Sequence, residues 1–112
     1  MPHAIPLSPQ AHQALVTMPA LRGLAAADRD RVEAHCREEC WPAGTVVFRE
    51  GDPGTSLYVV VSGEVDVRVG ERTIARLGVG EWLGEMALVS GEPRPATAIV
   101  ALDCRLLVLE TS

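Results

Sequence analysis

The sequence predicts a mainly β domain, a sandwich, barrel or jelly roll, with short N-terminal helices and one short helix inserted late in the chain. Three observations predict it. Apolar runs of strand length recur between about residues 39 and 109. Glycine-bearing turns separate them at the spacing of an all-β fold. Hydrophobic residues make up 47% of the 112, enough to close a core in a chain the size of one domain.

The N-terminal end reads differently from the rest. Ser8 followed by Pro9 is a helix start, a capping hydroxyl and then proline in the first turn. Gln10 to Thr17 forms the short helix, which Pro19 ends, and Gly23 adds a second break. A second helix is expected from Ala25 to about Cys36. Ala27, Val32 and Cys36 lie near helical spacing there, and Asp28 to Arg31 with Glu33 supply the wet face. A boundary between an N-terminal extension, residues 1–20, and the main domain, residues 21–112, is drawn on this reading.

From Glu39 onward strands are expected. Val46 to Phe48 is a short apolar run, and Leu57 to Val61 is another, rich in β-formers. Val65 to Val69 alternates as a half-buried strand does. Thr73 to Leu77, Ala96 to Leu102 and Arg105 to Leu109 complete the set. Between them stand Pro42-Ala43-Gly44, Gly51-Asp52-Pro53-Gly54, Ser62-Gly63, Gly70-Glu71, Gly78 and Gly80 as turn residues.

Composition removes several functions. The net charge is −5 and the ten basic residues are all arginine, without a basic stripe, so a nucleic-acid surface is not expected. Without lysine there is no P-loop. Three cysteines, Cys36, Cys40 and Cys104, are an odd count for a disulfide framework and fit a reducing cytoplasm. No apolar run approaches a membrane span, and no signal peptide is visible. Aromatics are only 4%, so any cap over a flat ligand must come from Trp41, Phe48, Tyr58, Trp82 or another chain.

One segment breaks the β pattern. Gly84-Glu85-Met86-Ala87-Leu88-Val89 favours a helix between two strands, then Ser90 to Pro93 turn the chain and Arg94 follows. A helix start leaves N–H groups unpaired, and its dipole attracts an anion. Gly84 permits close approach of a ligand to the backbone. The planar fork of Arg94 suits phosphate. The carboxylate of Glu85 repels phosphate but accepts hydrogen bonds from a sugar hydroxyl. Together these residues suggest a sugar phosphate, with Arg94 on the phosphate and Glu85 on the ribose.

Gly84-Glu85-Met86-Ala87-Leu88 through Pro93-Arg94-Pro95-Ala96-Thr97 resembles the phosphate-binding cassette of cyclic nucleotide-binding domains. The upstream runs Pro42 to Gly44, Val47 to Gly54 and Leu57 to Val65 are similar to that family too, and the likeness covers roughly residues 20 to 110. The resemblance implies a double-stranded β-helix, or jelly roll, holding cyclic AMP or cyclic GMP as a regulatory sensor, with no cofactor and no metal. It implies that Glu85 takes the ribose 2′-hydroxyl. Gly84 and Ala87, with Met86 between them, bring backbone N–H groups to the phosphate. Arg94 pairs with its charge, and Thr97 lies on the strand leaving the cassette. Family members that prefer cyclic GMP often carry a hydroxyl residue after the arginine. Pro95 stands there, which favours cyclic AMP.

Two departures from the family pattern stand out. Pro95 has no N–H to offer the phosphate. The family also continues past the last strand into lid helices, whereas Ser112 ends the sequence near the last expected strand. An effector domain or partner chain outside this sequence is therefore expected, and the oligomeric state is not readable. The same departures motivate an alternative, a degenerate, ligand-free regulatory or protein-interaction module of the same fold. An enzyme is not expected. His3, His12 and His35 all precede the roll, so a cupin-type ligand set is missing from the strands, and no serine sits in a nucleophile elbow. His35 with Cys36 and Cys40 falls short of the four ligands of a structural zinc site.

Overall fold

The computed structural model describes residues 3–5, 8–11, 13, 34–54, 56–84 and 92–110. Among the described residues seven strands form one antiparallel system: β1 (His3–Ile5), β2 (Cys36–Trp41), β3 (Val46–Phe48), β4 (Ser56–Val69), β5 (Arg72–Leu77), β6 (Trp82–Leu83) and β7 (Thr97–Glu110). The fold is the expected β-roll. Its axis is the pair of long strands β4 and β7, which run antiparallel from Ser56 opposite Glu110 to Arg68 opposite Thr97. Short strands flank this pair at both ends. β2 and β3 lie along the outer edge of β7, and β5 and β6 along the outer edge of β4.

Alternation along the two long strands sends side chains into two cores. Leu57, Val59, Val61 and Leu107 pack with Ala11 on one face. Val60, Val65, Ala98, Val100, Cys104 and Leu106 pack with Trp41 and Leu83 on the other, inside the roll. Ala11 reaches the first of these cores from the N-terminal helix, which includes residues 9–11 and 13. The cap is the expected one, with the Ala11 amide donating to Ser8 Oγ at 3.1 Å. The amide of Ser8 donates in turn to Glu38 Oε1 at 2.7 Å, and the other oxygen of that fully buried carboxylate meets Arg105 Nη1 at 3.2 Å.

Several boundaries differ from those expected. Leu57–Val61 and Val65–Val69 are not separate strands but one, β4. Ser62 and Gly63 do not turn the chain; register shifts between Val60 and Val65 absorb them as bulges. Gly63 permits this with a φ of +88°, and a Cβ there would come within 2.3 Å of the Asp103 carbonyl oxygen on β7. Ala96–Leu102 and Arg105–Leu109 likewise merge into β7. Cys36 opens β2 instead of ending a helix, because its run pairs with the far end of β7, Cys36 opposite Leu109. β1 and β6 went unanticipated: each is too short to show a period, and each is a strand only through its partner. The cassette helix expected from Gly84 lies outside the described residues from position 85 on, and so do residues 14–33, where most of the two expected N-terminal helices fall.

A candidate ligand site around Arg94

The turn after β3 is tied to the segment that leads into β7. The amide of Arg94 donates to the Asp52 carbonyl and the amide of Gly51 donates to the Arg94 carbonyl, both at 2.8 Å. Asp52 closes its own turn by donating to the Arg49 carbonyl at 3.0 Å, while its Oδ2 accepts from the Arg49 amide at 3.0 Å. Thr97 Oγ1 accepts from the Glu50 amide at 2.9 Å. The hydroxyl of Thr97, expected on the strand leaving the cassette, thus serves to hold this turn.

With its backbone clamped, Arg94 turns its side chain inward and keeps only 4% of its surface exposed. Nη2 donates to the Ser56 carbonyl at 2.9 Å and Nη1 to the Gly84 carbonyl at 3.2 Å. These two acceptors lie together because β6 pairs with β4, Leu83 opposite Tyr58, which brings Gly84 beside the start of β4. Gly84 has a φ of +92°, a conformation that a side chain disfavours. The guanidinium carbon sits 4.3 Å from the centroid of the Phe48 ring, within cation–π range. Behind it the aromatic row continues. Phe48 and Tyr58 lie 6.0 Å apart, and Tyr58 meets Trp41 edge-on at 6.4 Å. Of the row, Phe48 is the ring that lies against the guanidinium.

The electrostatics of this seat are unusual for an arginine. Burying the charge of a guanidinium is costly unless it is paired. Its hydrogen-bond acceptors are main-chain carbonyls, which carry partial charge only. Among the described residues two of its five N–H donors find acceptors, and buried Nε has no partner. A donor set of that kind fits a phosphate. Ser56 extends the network outward, its hydroxyl donating to Glu110 Oε2 at 2.8 Å while Arg37 Nη2 donates to Oε1 at 3.0 Å. Those two bonds, the Ser56 one foremost, hold the Glu110 carboxyl below the usual carboxylate range.

Of the residues expected at the site, the structure brings Gly84 and Arg94 together, leaves Pro95 exposed beside them and uses Thr97 in the turn. Glu85, Met86 and Ala87 lie outside the described residues. Ser56 and Phe48 were missed as site residues. Phe48 stood among the possible aromatic caps, but nothing local in the sequence marks either residue as a neighbour of Arg94. Among the described residues no group of three or more His, Cys, Asp or Glu side chains gathers as a metal site, and no helix is long and apolar enough to cross a membrane.

Fold and seat define a class first, antiparallel β-rolls with an arginine tucked in just before the last long strand. The chain belongs to the cyclic nucleotide-binding domain family, which it matches over residues 38–112. It is 38% identical over 96 residues to the cyclic AMP receptor protein of Thermus thermophilus, covering 81% of this chain and 44% of that one. The regulatory domain of Toxoplasma gondii PKA, solved with cyclic AMP, superposes with a TM-score of 0.84 at 33% identity, over 91% of this chain and 41% of that one. A regulatory subunit of a cAMP-independent protein kinase A from Trypanosoma brucei shares the fold, with a TM-score of 0.80 at 22% identity over 89% of this chain and 37% of that one. The chain spans less than half the length of the curated relatives it matches.

Proposed function

We propose that this domain is a non-enzymatic sensor that binds cyclic AMP in preference to cyclic GMP and passes its occupancy to an effector domain or partner chain. The observation that carries the reading is the buried guanidinium of Arg94, aimed into the roll with carbonyl acceptors and an unpartnered Nε. A cyclic phosphate supplies the full negative charge that carbonyls lack. Arg94 then pairs with the phosphate, and Gly84, Met86 and Ala87 offer it backbone from the cassette. Glu85 accepts from the ribose 2′-hydroxyl. Pro95 contributes no donor, which lowers affinity by about ten- to a hundred-fold relative to a domain with an N–H there. Relatives that are a cyclic AMP receptor protein and a kinase regulatory domain solved with cyclic AMP support this ligand and a regulatory role. A cytoplasmic setting belongs to the same reading, in keeping with three free thiols.

The test is thermal unfolding with cyclic AMP, cyclic GMP and 5′-AMP. A ligand that binds the native state raises the melting temperature, by an amount that grows with the logarithm of its concentration over its Kd. The largest shift is expected with cyclic AMP and the smallest with 5′-AMP. No shift at millimolar nucleotide would favour a ligand-free regulatory module instead. The exposed imide at Pro95 motivates that second reading, and a β-roll is compatible with it, since the fold by itself does not determine a ligand.

A further inference from the structure

We propose that Gly54 is a positioning residue for Arg94, its absent side chain leaving the space that the guanidinium fills. A Cβ placed on Gly54 would lie 2.0 Å from Arg94 Nε, 2.3 Å from Cζ and 2.6 Å from Nη2. All three are well inside the ~3.5 Å at which such atoms make good contact. Conformation does not explain this glycine. Gly44 and Gly51 adopt positive φ, and a methyl added at either would meet nothing within 4 Å, so they serve the backbone of their turns. Gly54 is the reverse case: it has no positive φ, and its missing methyl would be crowded.

Gly54 is also in no position to retreat. Its turn is fastened to Arg94 and Thr97 by the amide–carbonyl pair of Gly51 and Asp52 and by the Glu50–Thr97 bond. The guanidinium, at the end of a flexible chain and held by two hydrogen bonds, is the part free to yield. Gly54→Ala therefore keeps the roll and drives Arg94 off Phe48 and away from the Ser56 and Gly84 carbonyls. Its effect on ligand binding rests on the reading that Arg94 meets the phosphate; its effect on the seat does not.

The experiment compares the full chain with Gly54→Ala, Arg94→Ala, the double variant and Gly78→Ala. Gly78 lacks a positive φ and has open space where its Cβ would lie, so it controls for the glycine-to-alanine change. One readout needs no ligand: solvent exchange of the Arg94 Nε–H in protein labelled with ¹⁵N-arginine. The signal is expected to be protected in wild type and Gly78→Ala and fast-exchanging in Gly54→Ala. The other is calorimetry with cyclic AMP. Gly54→Ala should weaken binding by about ten- to a hundred-fold, from loss of a charge-assisted contact, and have no further effect once Arg94 is alanine. A protected Nε–H in Gly54→Ala overturns the proposal, and so does an equal loss of affinity with and without Arg94. If Gly54→Ala fails to fold, the double variant must fold, since removing the guanidinium restores the space; a double variant that also fails overturns the proposal. Wild-type protein that ignores cyclic AMP defeats the proposed function alone and leaves the exchange readout to decide the role of Gly54.

Discussion

Arg94 and Arg76 carry the same guanidinium into opposite settings. Arg76 stands on β5 with 59% of its side chain exposed and meets carboxylates, donating through Nε to Asp66 Oδ1 at 2.7 Å with Glu64 at 3.9 Å. Arg94 is buried, and its acceptors are carbonyls and a ring. The outer pair is complete in itself, an exposed guanidinium matched by a carboxylate whose side chain is 11% exposed. The inner arginine is matched in shape but only partly in charge. The difference teaches where to look for ligand chemistry in a β-roll. A surface ion pair contributes little to stability and has no need of a ligand, whereas a buried guanidinium held by neutral acceptors is an arrangement that an anion completes.

The comparison breaks most visibly at Gly84. Gly84→Ala meets both a disfavoured φ and the Ser56 carbonyl oxygen, 2.8 Å from the new Cβ. It should cost about 1–3 kcal/mol of stability, a loss that denaturant melts will resolve. Phe48→Leu keeps an apolar filler but removes the π face below the guanidinium. Cyclic AMP affinity should fall by about two- to thirty-fold, as expected for a cation–π contact of about 0.5–2 kcal/mol, with calorimetry as the check.

Acid sharpens the contrast from the other side. Hydrogen bonding to Arg76 holds the Asp66 carboxyl below its ordinary range, and Glu110 is held low by Ser56 and Arg37. A carboxyl with a depressed folded pKa adds stability that is fully present above its unfolded pKa and is lost as pH falls through the folded value. Stability should therefore be flat with respect to these groups near neutrality and decline below about pH 4. Denaturant melts of wild type and Asp66→Asn should converge as pH falls from 6 to 3. The smallest effect is expected from Arg76→Ala, which removes the partner that holds Asp66 low and should lower the melting temperature slightly at neutral pH, less so near pH 3, while leaving the cyclic AMP affinity unchanged.

How much of this was legible in the sequence follows from how local each signal is. The cap of the first helix was readable because Ser8 and the Ala11 amide are three residues apart. β3 and β5 were readable from short β-forming runs between turn residues. The continuity of β4 was not, because Ser62-Gly63 looks like a turn until β7 lies alongside and the bulges are seen. The start of β2 was hidden for a related reason. Glu38 falls between the expected helix and the expected strands, yet it is fully buried against Ser8 and Arg105, partners 30 and 67 positions away. The site divides in the same way. Gly84 and Arg94 stand ten residues apart in a recognisable cassette, so the sequence brought them together. Ser56 reaches Arg94 across 38 residues, through strand pairing that no local pattern announces.

The proposed site turns on the guanidinium of Arg94 meeting the phosphate inside the roll. Calorimetric titration of wild type and Arg94→Ala with cyclic AMP tests this most directly. The predicted result is a loss of about 2–4 kcal/mol, roughly thirty- to several-hundred-fold in affinity, with the variant still folded. Equal affinities for the two proteins would contradict it.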